Sequence, residues 1–134
     1  MPSVLFVCVA NSFRSQMAEA IAKSLRPSGW EIWSAGSNPS GAVHPRAQQL
    51  MQEIGLDLRG HASKGVDAVP KRQWDYVVTM GCGDRCPAVA ARKRMDWSVA
   101  DPAAGSLEQA RHIRDALAAQ IRALVDEAGT LDKA

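Results

Sequence analysis

A strand, a tight loop and a helix at the start of the chain constrain its fold more than any other feature. The apolar run from Val4 to Val9 has the length and composition of a buried strand. After a short polar loop, apolar residues recur at helical spacing and predict a helix over residues 14–25. This order is typical of an α/β fold with a parallel sheet, whose ligands bind at the C-terminal ends of the strands. The loop between strand and helix is therefore the first candidate site.

This loop holds a cysteine and an arginine, Cys8 and Arg14, in the spacing C-x5-R. N–H groups converge at the N-terminus of a helix, where they suit a tetrahedral oxyanion such as phosphate or arsenate. Arg14 can bind two oxygens of that anion, and a hydroxyl of Ser12 or Ser15 would help to favour the thiolate of Cys8. The candidate oxyanion-binding residues are Val9, Ala10, Asn11, Ser12, Phe13, Arg14 and Ser15.

The simpler alternative is that Cys8 is a small, inert core residue, which is the common role of a cysteine in an apolar strand. A bare C-x5-R spacing also arises by chance. The strand before the cysteine, the serines of the loop and the helix pattern after it together favour a catalytic cysteine.

Strands and helices alternate along the rest of the chain. The patterns predict a strand at residues 30–37, a helix at 45–54, an irregular stretch at 56–70 and the end of a short helix at 71–74. They then predict a strand at 76–80, a loop at 81–87 and a short strand at 94–97. The last element is a long helix that Ser106 caps and Gly129 ends. This alternation predicts an α/β fold, a single-domain four-stranded parallel sheet with helices on both faces, over residues 1–134. Cys8, Cys82 and Asp101 each follow a predicted strand and are expected at one edge of the sheet.

The composition argues against several classes of protein. A net charge of +2 says little about partners, but the lack of a long basic run and the few aromatic residues argue against a nucleic-acid surface. The basic run at residues 92–94 is predicted to be a solvated loop, with docking of an acidic protein as the alternative. No stretch has the pattern of a signal peptide or a membrane span. Three cysteines do not suggest a secreted disulfide framework. We therefore expect a cytoplasmic protein with reduced thiols. We also expect a monomer without a cofactor.

The motif around Cys8 resembles a known active site. Residues 8–20, C-V-A-N-S-F-R-S-Q-M-A-E-A, look like the active-site loop of the low-molecular-weight tyrosine phosphatase superfamily. The run S-Q-M-A-E at residues 15–19 is similar to the arsenate reductase branch, and later motifs extend the match over nearly the whole chain. The resemblance implies a low-molecular-weight phosphatase-like fold with Cys8 as the nucleophile. Phe13 and Ala10 depart from the pattern, because many relatives carry cysteine and glycine there.

Asp101 precedes Pro102 in the loop between the fourth predicted strand and the last helix. An aspartate before a proline commonly forms a turn, and the spacing alone favours that interpretation. The family, however, carries its general acid in an Asp-Pro at this location, preceded by a tryptophan as Trp97 is here. The resemblance therefore implies that Asp101 protonates the leaving oxygen. Phosphatases of the superfamily usually place aromatic residues next, whereas this chain has A-A-G at residues 103–105, which favours a small inorganic anion.

Two further cysteines, Cys82 and Cys86, lie in the loop after the third predicted strand. Resemblance to thioredoxin-coupled arsenate reductases implies that Cys8 attacks arsenic, Cys82 attacks the Cys8 sulfur and releases arsenite, and Cys86 captures Cys82 for reduction by thioredoxin. The two cysteines are closer in sequence than the family's usual pair. If Cys86 takes no part, a small thiol would regenerate the enzyme. A structural metal half-site, with His61 as a weak further ligand, is the alternative.

Three functions therefore remain open at the level of sequence. Arsenate reduction by a cysteine relay is favoured by the two loop cysteines and the missing aromatic residues. A phosphatase that acts on phosphate monoesters would share the rest of the site. An oxyanion-binding or thiol-sensing module is disfavoured by the coexistence of Cys8, Arg14 and Asp101.

The support of the loop is a further point of departure from the family. In some arsenate reductases of this branch, a potassium ion beneath the loop is held by the loop asparagine, the glutamate of the first helix, and a threonine and an aspartate further on. Asn11 and Glu19 match the first two, but the later positions hold Ala62 and Lys64. We therefore expect no metal, and hypothesise that the Lys64 ammonium replaces potassium and bonds Glu19 and the Asn11 side chain. The alternative is that Lys64 points to solvent, as most lysines do.

Overall fold

Four parallel strands form one sheet in the order β2-β1-β3-β4. The structure, a computed structural model, describes residues 2–25, 29–80, 89–100 and 102–133. The strands are β1 (Ser3–Cys8), β2 (Glu31–Gly36), β3 (Trp74–Thr79) and β4 (Ala91–Asp96). The helices are α1 (Arg14–Leu25), α2 (Pro45–Gln52) and α3 (Leu107–Lys133). The predicted four-stranded parallel sheet is confirmed.

The strand order places the loop after β1 at a switch point of the sheet. The chain passes from β1 to β2 on one side and then returns to β3 on the other side of β1. In register, Cys8 lies beside Gly36 of β2, and Val7 lies beside Thr79 of β3. Such a reversal opens a crevice at the C-terminal end of the central strand, which is where doubly wound sheets bind ligands.

The two faces of the sheet are covered differently. Val4, Phe6 and Cys8 pack with buried residues from all three helices. The alternate residues of β1, Leu5 and Val7, pack on the other face. Among the described residues, that face is covered by the segment around the 3-10 turn Val66–Ala68 and contains no α-helix, so the expected helices on both faces are found on one face only.

The capping and bounds of the helices follow the sequence closely in most places. The helix predicted over residues 14–25 is α1 without any shift. The predicted capping box at the start of α3 is present: Gln109 N–H donates to Ser106 Oγ at 3.1 Å, and Ser106 N–H donates to Gln109 Oε1 at 2.9 Å. The helix continues past Gly129 to residue 133, however, so the predicted end was wrong.

Two predicted elements near the sheet edge were also wrong. Residues 71–74 do not end a helix, because Trp74 already belongs to β3, pairs with Ala91 and donates its N–H to Ala90 O at 2.9 Å. The basic run at residues 92–94 is not a loop but the middle of β4, which is an edge strand. Its side chains are largely exposed, so β4 lacks the apolar alternation that marks a strand. Among the described helices, none is long and apolar enough to cross a membrane.

Candidate active site

The loop after β1 turns its carbonyl groups toward the surrounding protein. The acceptors and their donors are Cys8 O with Ser37 N–H at 3.1 Å, Val9 O with Asn38 N–H at 2.8 Å, Ala10 O with Ser40 N–H at 3.0 Å, and Ser12 O with His44 N–H at 2.8 Å. In a trans peptide the following N–H points the opposite way. The amides of the loop therefore face the space above Cys8, and the N–H of Asn11 donates to Cys8 Sγ at 3.3 Å.

The path of the loop depends on two residues with unusual backbone requirements. Asn11 has φ of 48°, the left-handed conformation that asparagine tolerates better than most residues. Gly36 lies directly beside the loop, because a Cβ at this position would meet Val9 O at 2.5 Å. The close approach of the loop to β2 therefore requires a glycine at residue 36.

Cys8 is buried, with 2% of its surface exposed, and two polar groups of the described residues contact its sulfur. Besides the amide of Asn11, the hydroxyl of Ser15 lies 2.8 Å from Cys8 Sγ. Asn11 Nδ2 donates to the same hydroxyl oxygen at 2.8 Å. When Cys8 is a thiolate, the proton shared with Ser15 must come from the serine, since the sulfur then carries none. Of the two serines considered from the sequence, Ser15 is the one that contacts the sulfur.

A chain of hydrogen bonds fixes the orientation of the Asn11 side chain. The backbone N–H of Lys64, which can only donate, bonds Asn11 Oδ1 at 2.9 Å, so the amide nitrogen must face Ser15. Gln16 Nε2 donates to Asn11 Oδ1 at 3.0 Å and to Ala62 O at 2.9 Å. Gln16 Oε1 therefore faces His61 Nδ1, which lies 3.0 Å away and must carry the proton. His61 thus orients the amides behind the loop.

Arg14 connects the loop to the segment before α3. Its Nη1 donates to Val99 O at 3.1 Å. Its other N–H groups make no hydrogen bond within the described part of the chain and could bind an anion there. Val99 stands two residues before Asp101 in the sequence. Asp101, Cys82 and Cys86, three residues predicted for the site, lie outside the described residues.

Glu19 is the centre of a charged cluster beneath the loop. Its carboxylate accepts from Ser34 Oγ at 2.6 Å and from Lys23 Nζ at 2.8 Å, and Lys64 Nζ lies 3.6 Å from Oε1. The Lys64 ammonium therefore approaches Glu19, but the bond to Asn11 comes from the Lys64 backbone N–H. The hypothesis that the ammonium bonds the Asn11 side chain was wrong in this respect.

The electrostatics of this cluster have opposing causes. Burial is the largest influence on the pKa of Glu19 and raises it, but hydrogen bonds from Lys23 and Ser34 and the charge of Lys64 outweigh burial, so the pKa is lowered overall. Burial lowers the pKa of Lys64 against the attraction of Glu19. Burial also lowers the pKa of His61, so its 3.5 Å approach to Glu19 is a contact of a neutral ring and not an ion pair at pH 7.

Several residues of the site were not found from the sequence. Gln16 lies in the motif at residues 8–20, but that motif does not predict its hydrogen bond to the carbonyl of Ala62. Ser63 Oγ donates to Ala10 O at 2.8 Å, and the His44 ring packs on Phe13 with 4.8 Å between centroids. These contacts join segments that are distant in sequence, so no local pattern predicts them. Gly36 did offer a local signal, because a glycine near the end of a predicted strand indicates a close approach of another backbone segment.

Comparison with known proteins agrees with this geometry. The glutaredoxin arsenate reductase of Synechocystis sp. is 35% identical over 128 residues, which cover 93% of this chain and 97% of that protein. A solved structure of an arsenate reductase in the phosphate binding state has a TM-score of 0.85 at 35% identity and covers 95% of this chain and 98% of its own. For the thioredoxin-dependent arsenate reductase of Corynebacterium glutamicum, the TM-score is 0.77 at 32% identity, with 95% of this chain and 61% of that one covered.

The family assignment rests on the whole length of the chain. Residues 3–134 match the family of low molecular weight phosphotyrosine protein phosphatases. The parallel sheet, the C-x5-R loop at its switch point and the buried cysteine within that loop agree with this match. The chain belongs to the low-molecular-weight phosphotyrosine protein phosphatase family.

Proposed function

We propose that the protein is an arsenate reductase with Cys8 as its nucleophile. The observation that carries this proposal is the 3.3 Å hydrogen bond from the N–H of Asn11 to Cys8 Sγ. A loop amide aimed at the sulfur is also aimed at an oxyanion held against that sulfur. Relatives over nearly the full length are arsenate reductases, one of them in a phosphate binding state. The A-A-G sequence after Pro102 offers no aromatic ring for phosphotyrosine, which favours a small inorganic anion.

The first step forms a bond between Cys8 sulfur and arsenic. The thiolate attacks arsenate, one As–O bond breaks, and the departing oxygen leaves as water with a proton from the carboxylic acid of Asp101. Arg14 and the loop amides hold the remaining oxygens. Ser15 and Asn11 stabilise the thiolate before attack, because both donate toward the sulfur in that state.

The second step transfers the electron pair to arsenic. The Cys82 thiolate attacks Cys8 sulfur, the S–As bond breaks, and arsenic leaves as arsenite with both electrons of that bond. Two thiols are thereby oxidised to one disulfide while arsenic(V) becomes arsenic(III). Cys86 then attacks Cys82, frees Cys8, and presents a Cys82–Cys86 disulfide to a reductant.

Thioredoxin is the reductant we propose. A relay that ends in a disulfide between two cysteines of the chain is a substrate for a dithiol protein, because the dithiol resolves its own mixed disulfide. The Corynebacterium neighbour is thioredoxin-dependent, which supports this choice. The Synechocystis relative is a glutaredoxin arsenate reductase, so glutathione with glutaredoxin is the competing reductant to test.

The decisive experiment measures three rates on one preparation. NADPH oxidation is followed with arsenate and the thioredoxin system, then with glutathione and glutaredoxin, and hydrolysis of an aryl phosphate is measured separately. We expect arsenate-dependent turnover with thioredoxin, slower turnover with glutaredoxin and the slowest rate with the phosphate ester. Cys8→Ser should abolish all three, since a hydroxyl lacks the nucleophilicity and redox capacity of the thiolate. Hydrolysis that exceeds arsenate reduction would make the protein a phosphatase.

For the loop support we propose that Lys64, together with Asn11 and Glu19, does without potassium. A monovalent cation does not fit the space beside Glu19, because Lys23 and Lys64 already bring two ammonium groups to its carboxylate. Lys64 Nζ also lies 3.4 Å from Ser34 Oγ and from Ala62 O, oxygens that would suit a cation. The Lys64 ammonium thus contacts the oxygens that would otherwise bind a potassium ion.

The test of this support is the response to the cation of the buffer. Activity should be the same in potassium and in sodium chloride at constant ionic strength. Lys64→Ala should raise the KM for arsenate. Lys23→Ala is the matched control, because it removes the other ammonium group from Glu19 and leaves the contacts of Lys64 with Ala62 and Ser34 in place. Strong activation of the wild type by potassium would refute the proposal that the Lys64 ammonium replaces this ion.

A further inference from the structure

Arg46 bridges α2 and the segment that leads into α3. Its Nη1 donates to Pro102 O at 3.2 Å and to Gly105 O at 2.8 Å. Nη1 carries two hydrogens, so one nitrogen satisfies both carbonyls. Pro102 directly follows Asp101 in the sequence, and Gly105 comes three residues later. Arg46 therefore fixes the backbone on the C-terminal side of the proposed acid.

The other end of Arg46 is attached to the oxyanion loop. Arg46 follows the N-cap of α2, and its N–H donates to His44 Nδ1 at 3.0 Å. His44 N–H in turn donates to Ser12 O at 2.8 Å, and its ring packs on Phe13. The start of α2 thus forms a continuous connection from the loop around Cys8 to residues 102–105.

A second arginine holds the N-terminal side of the same segment. Arg14, which belongs to the oxyanion loop, donates to Val99 O at 3.1 Å. Residues before and after Asp101 are therefore hydrogen-bonded to two arginines that are both anchored on the oxyanion loop. These contacts attach Val99, Pro102 and Gly105 to residues that are connected with the loop around Cys8.

We propose that Arg46 is a positioning residue that holds residues 102–105, which directly follow Asp101, at the start of α2, an inference that rests on the proposed role of Asp101 as the general acid. The contacts of the Arg46 guanidinium are with the carbonyls of residues 102 and 105, so we assign it the placement of this segment and not the binding of the anion. Its loss should slow proton transfer to the leaving oxygen while arsenate still binds. General acid catalysis is sensitive to such placement, since it requires hydrogen-bond distance to the departing atom.

The test is a double-mutant cycle on single-turnover kinetics. Arg46→Met keeps the apolar stem but removes both hydrogen bonds, so packing is retained. The arsenate-dependent loss of free thiols is measured after rapid quench in wild type, Arg46→Met, Asp101→Asn and the double variant. We expect Arg46→Met to slow this step about tenfold and Asp101→Asn roughly 10²-fold, with less than about a twofold further loss in the double variant. The arsenate concentration for half-maximal rate should change by less than about twofold.

Two further variants separate positioning from general stability. Arg46→Lys places one nitrogen with several hydrogens near the same carbonyls and should recover most of the rate. Arg111→Met is the matched control, because it removes an arginine that joins α3 to Glu53, beside the end of α2, and leaves residues 99–105 untouched. It should keep the wild-type rate.

The possible results distinguish the inference from the function on which it rests. An unchanged rate in Arg46→Met, or an equal loss with and without Asp101→Asn, overturns the positioning role while the proposed acid stands. An unchanged rate in Asp101→Asn removes the acid itself, and the role of Arg46 falls with it. If Arg46→Met lowers the single-turnover rate only when Asp101 is present, the inference is supported.

Discussion

Replacing Gly36 by alanine should displace the oxyanion loop without altering any group that reacts. A methyl group at residue 36 would lie 2.5 Å from Val9 O and 3.0 Å from both Cβ and the backbone nitrogen of Asn11. The strand has little freedom to retreat, because Gly36 N–H donates to Lys64 O at 2.9 Å and the next N–H donates to Cys8 O at 3.1 Å. The loop itself must therefore move.

The size of this displacement follows from the contact distance. The separation from Val9 O has to lengthen by about 0.5 Å to reach 3.0 Å and by about 0.9 Å to reach ordinary contact. Forced overpacking of this kind costs about 1–3 kcal/mol, which for a domain of this size lowers Tm by about 4–11 °C. A misplacement approaching 1 Å costs up to about 10²-fold in rate. We therefore expect kcat/KM for arsenate to fall by about 10–100-fold.

The matched control is alanine at Gly65, which forms an isolated bridge with Gly36. Gly65 has φ of −89° and ψ of 173°, a conformation that alanine adopts readily, and the nearest atom to an added Cβ is Pro39 Cγ at 3.6 Å. Gly65→Ala should keep wild-type kcat/KM. Tm and steady-state arsenate kinetics of both variants decide the matter: normal kinetics in Gly36→Ala, or an equal loss in Gly65→Ala, would refute the steric argument.

Four other variants test separate parts of the molecule. Asp101→Asn should slow formation of the Cys8 adduct roughly 10²-fold and spare disulfide exchange with thioredoxin; an unchanged single-turnover rate would make Asp101 a turn residue. Cys82→Ser should permit the first attack but stop multiple turnover, and Cys86→Ser should trap a Cys8–Cys82 disulfide, which peptide mapping after one turnover would detect. Hydrogen bonds from Arg111 and then Arg114 lower the pKa of Glu53 to about 2 from its ordinary 4.5, so the stability that they confer is complete above about pH 4.5 and is lost as the pH falls toward 2. Urea titrations of Glu53→Gln should therefore give a lower unfolding free energy at pH 7 than in the wild type. They should also give a smaller decrease of that free energy between pH 7 and pH 3. A pH dependence equal to that of the wild type would show that the contacts of Glu53 with Arg111 and Arg114 add no stability.

The fold was predictable where a local pattern reports burial. Helix α1 and the central strands have apolar periodicity that matches their geometry, because they face the core. The edge strand β4 has mostly exposed side chains, so its sequence carries charge where the core strands carry apolar residues. The start of β4 was therefore missed. The helix predicted over residues 71–74 was a separate error, because Trp74 already belongs to β3. An edge strand is defined by its pairing with a neighbour, and single-sequence patterns do not contain that information.

The site was predictable in its contiguous part alone. The spacing of Cys8, Arg14 and Ser15 predicted the loop, since a strand, a turn and a helix N-terminus are local structures. The residues that orient it, Gln16 and His61, are 45 positions apart and meet only because the segment at residues 61–64 folds under the loop. Their roles follow from donor and acceptor geometry, which a sequence does not specify.

Lys64 shows how a charge pattern and a fold contribute different parts of one interaction. The sequence pattern predicts that the Lys64 ammonium lies at Glu19, and in the structure its Nζ is 3.6 Å from Glu19 Oε1, beside the closer ammonium of Lys23. The bond that orients Asn11 comes instead from the Lys64 backbone N–H, which every residue except proline supplies. Lys64→Ala therefore leaves the Asn11 amide oriented and removes the ammonium with its contacts to Glu19, Ser34 and Ala62. The effect of that variant on KM measures the ammonium group, whereas Lys64→Pro would remove the backbone bond on which the orientation of Asn11, and through it Ser15, depends.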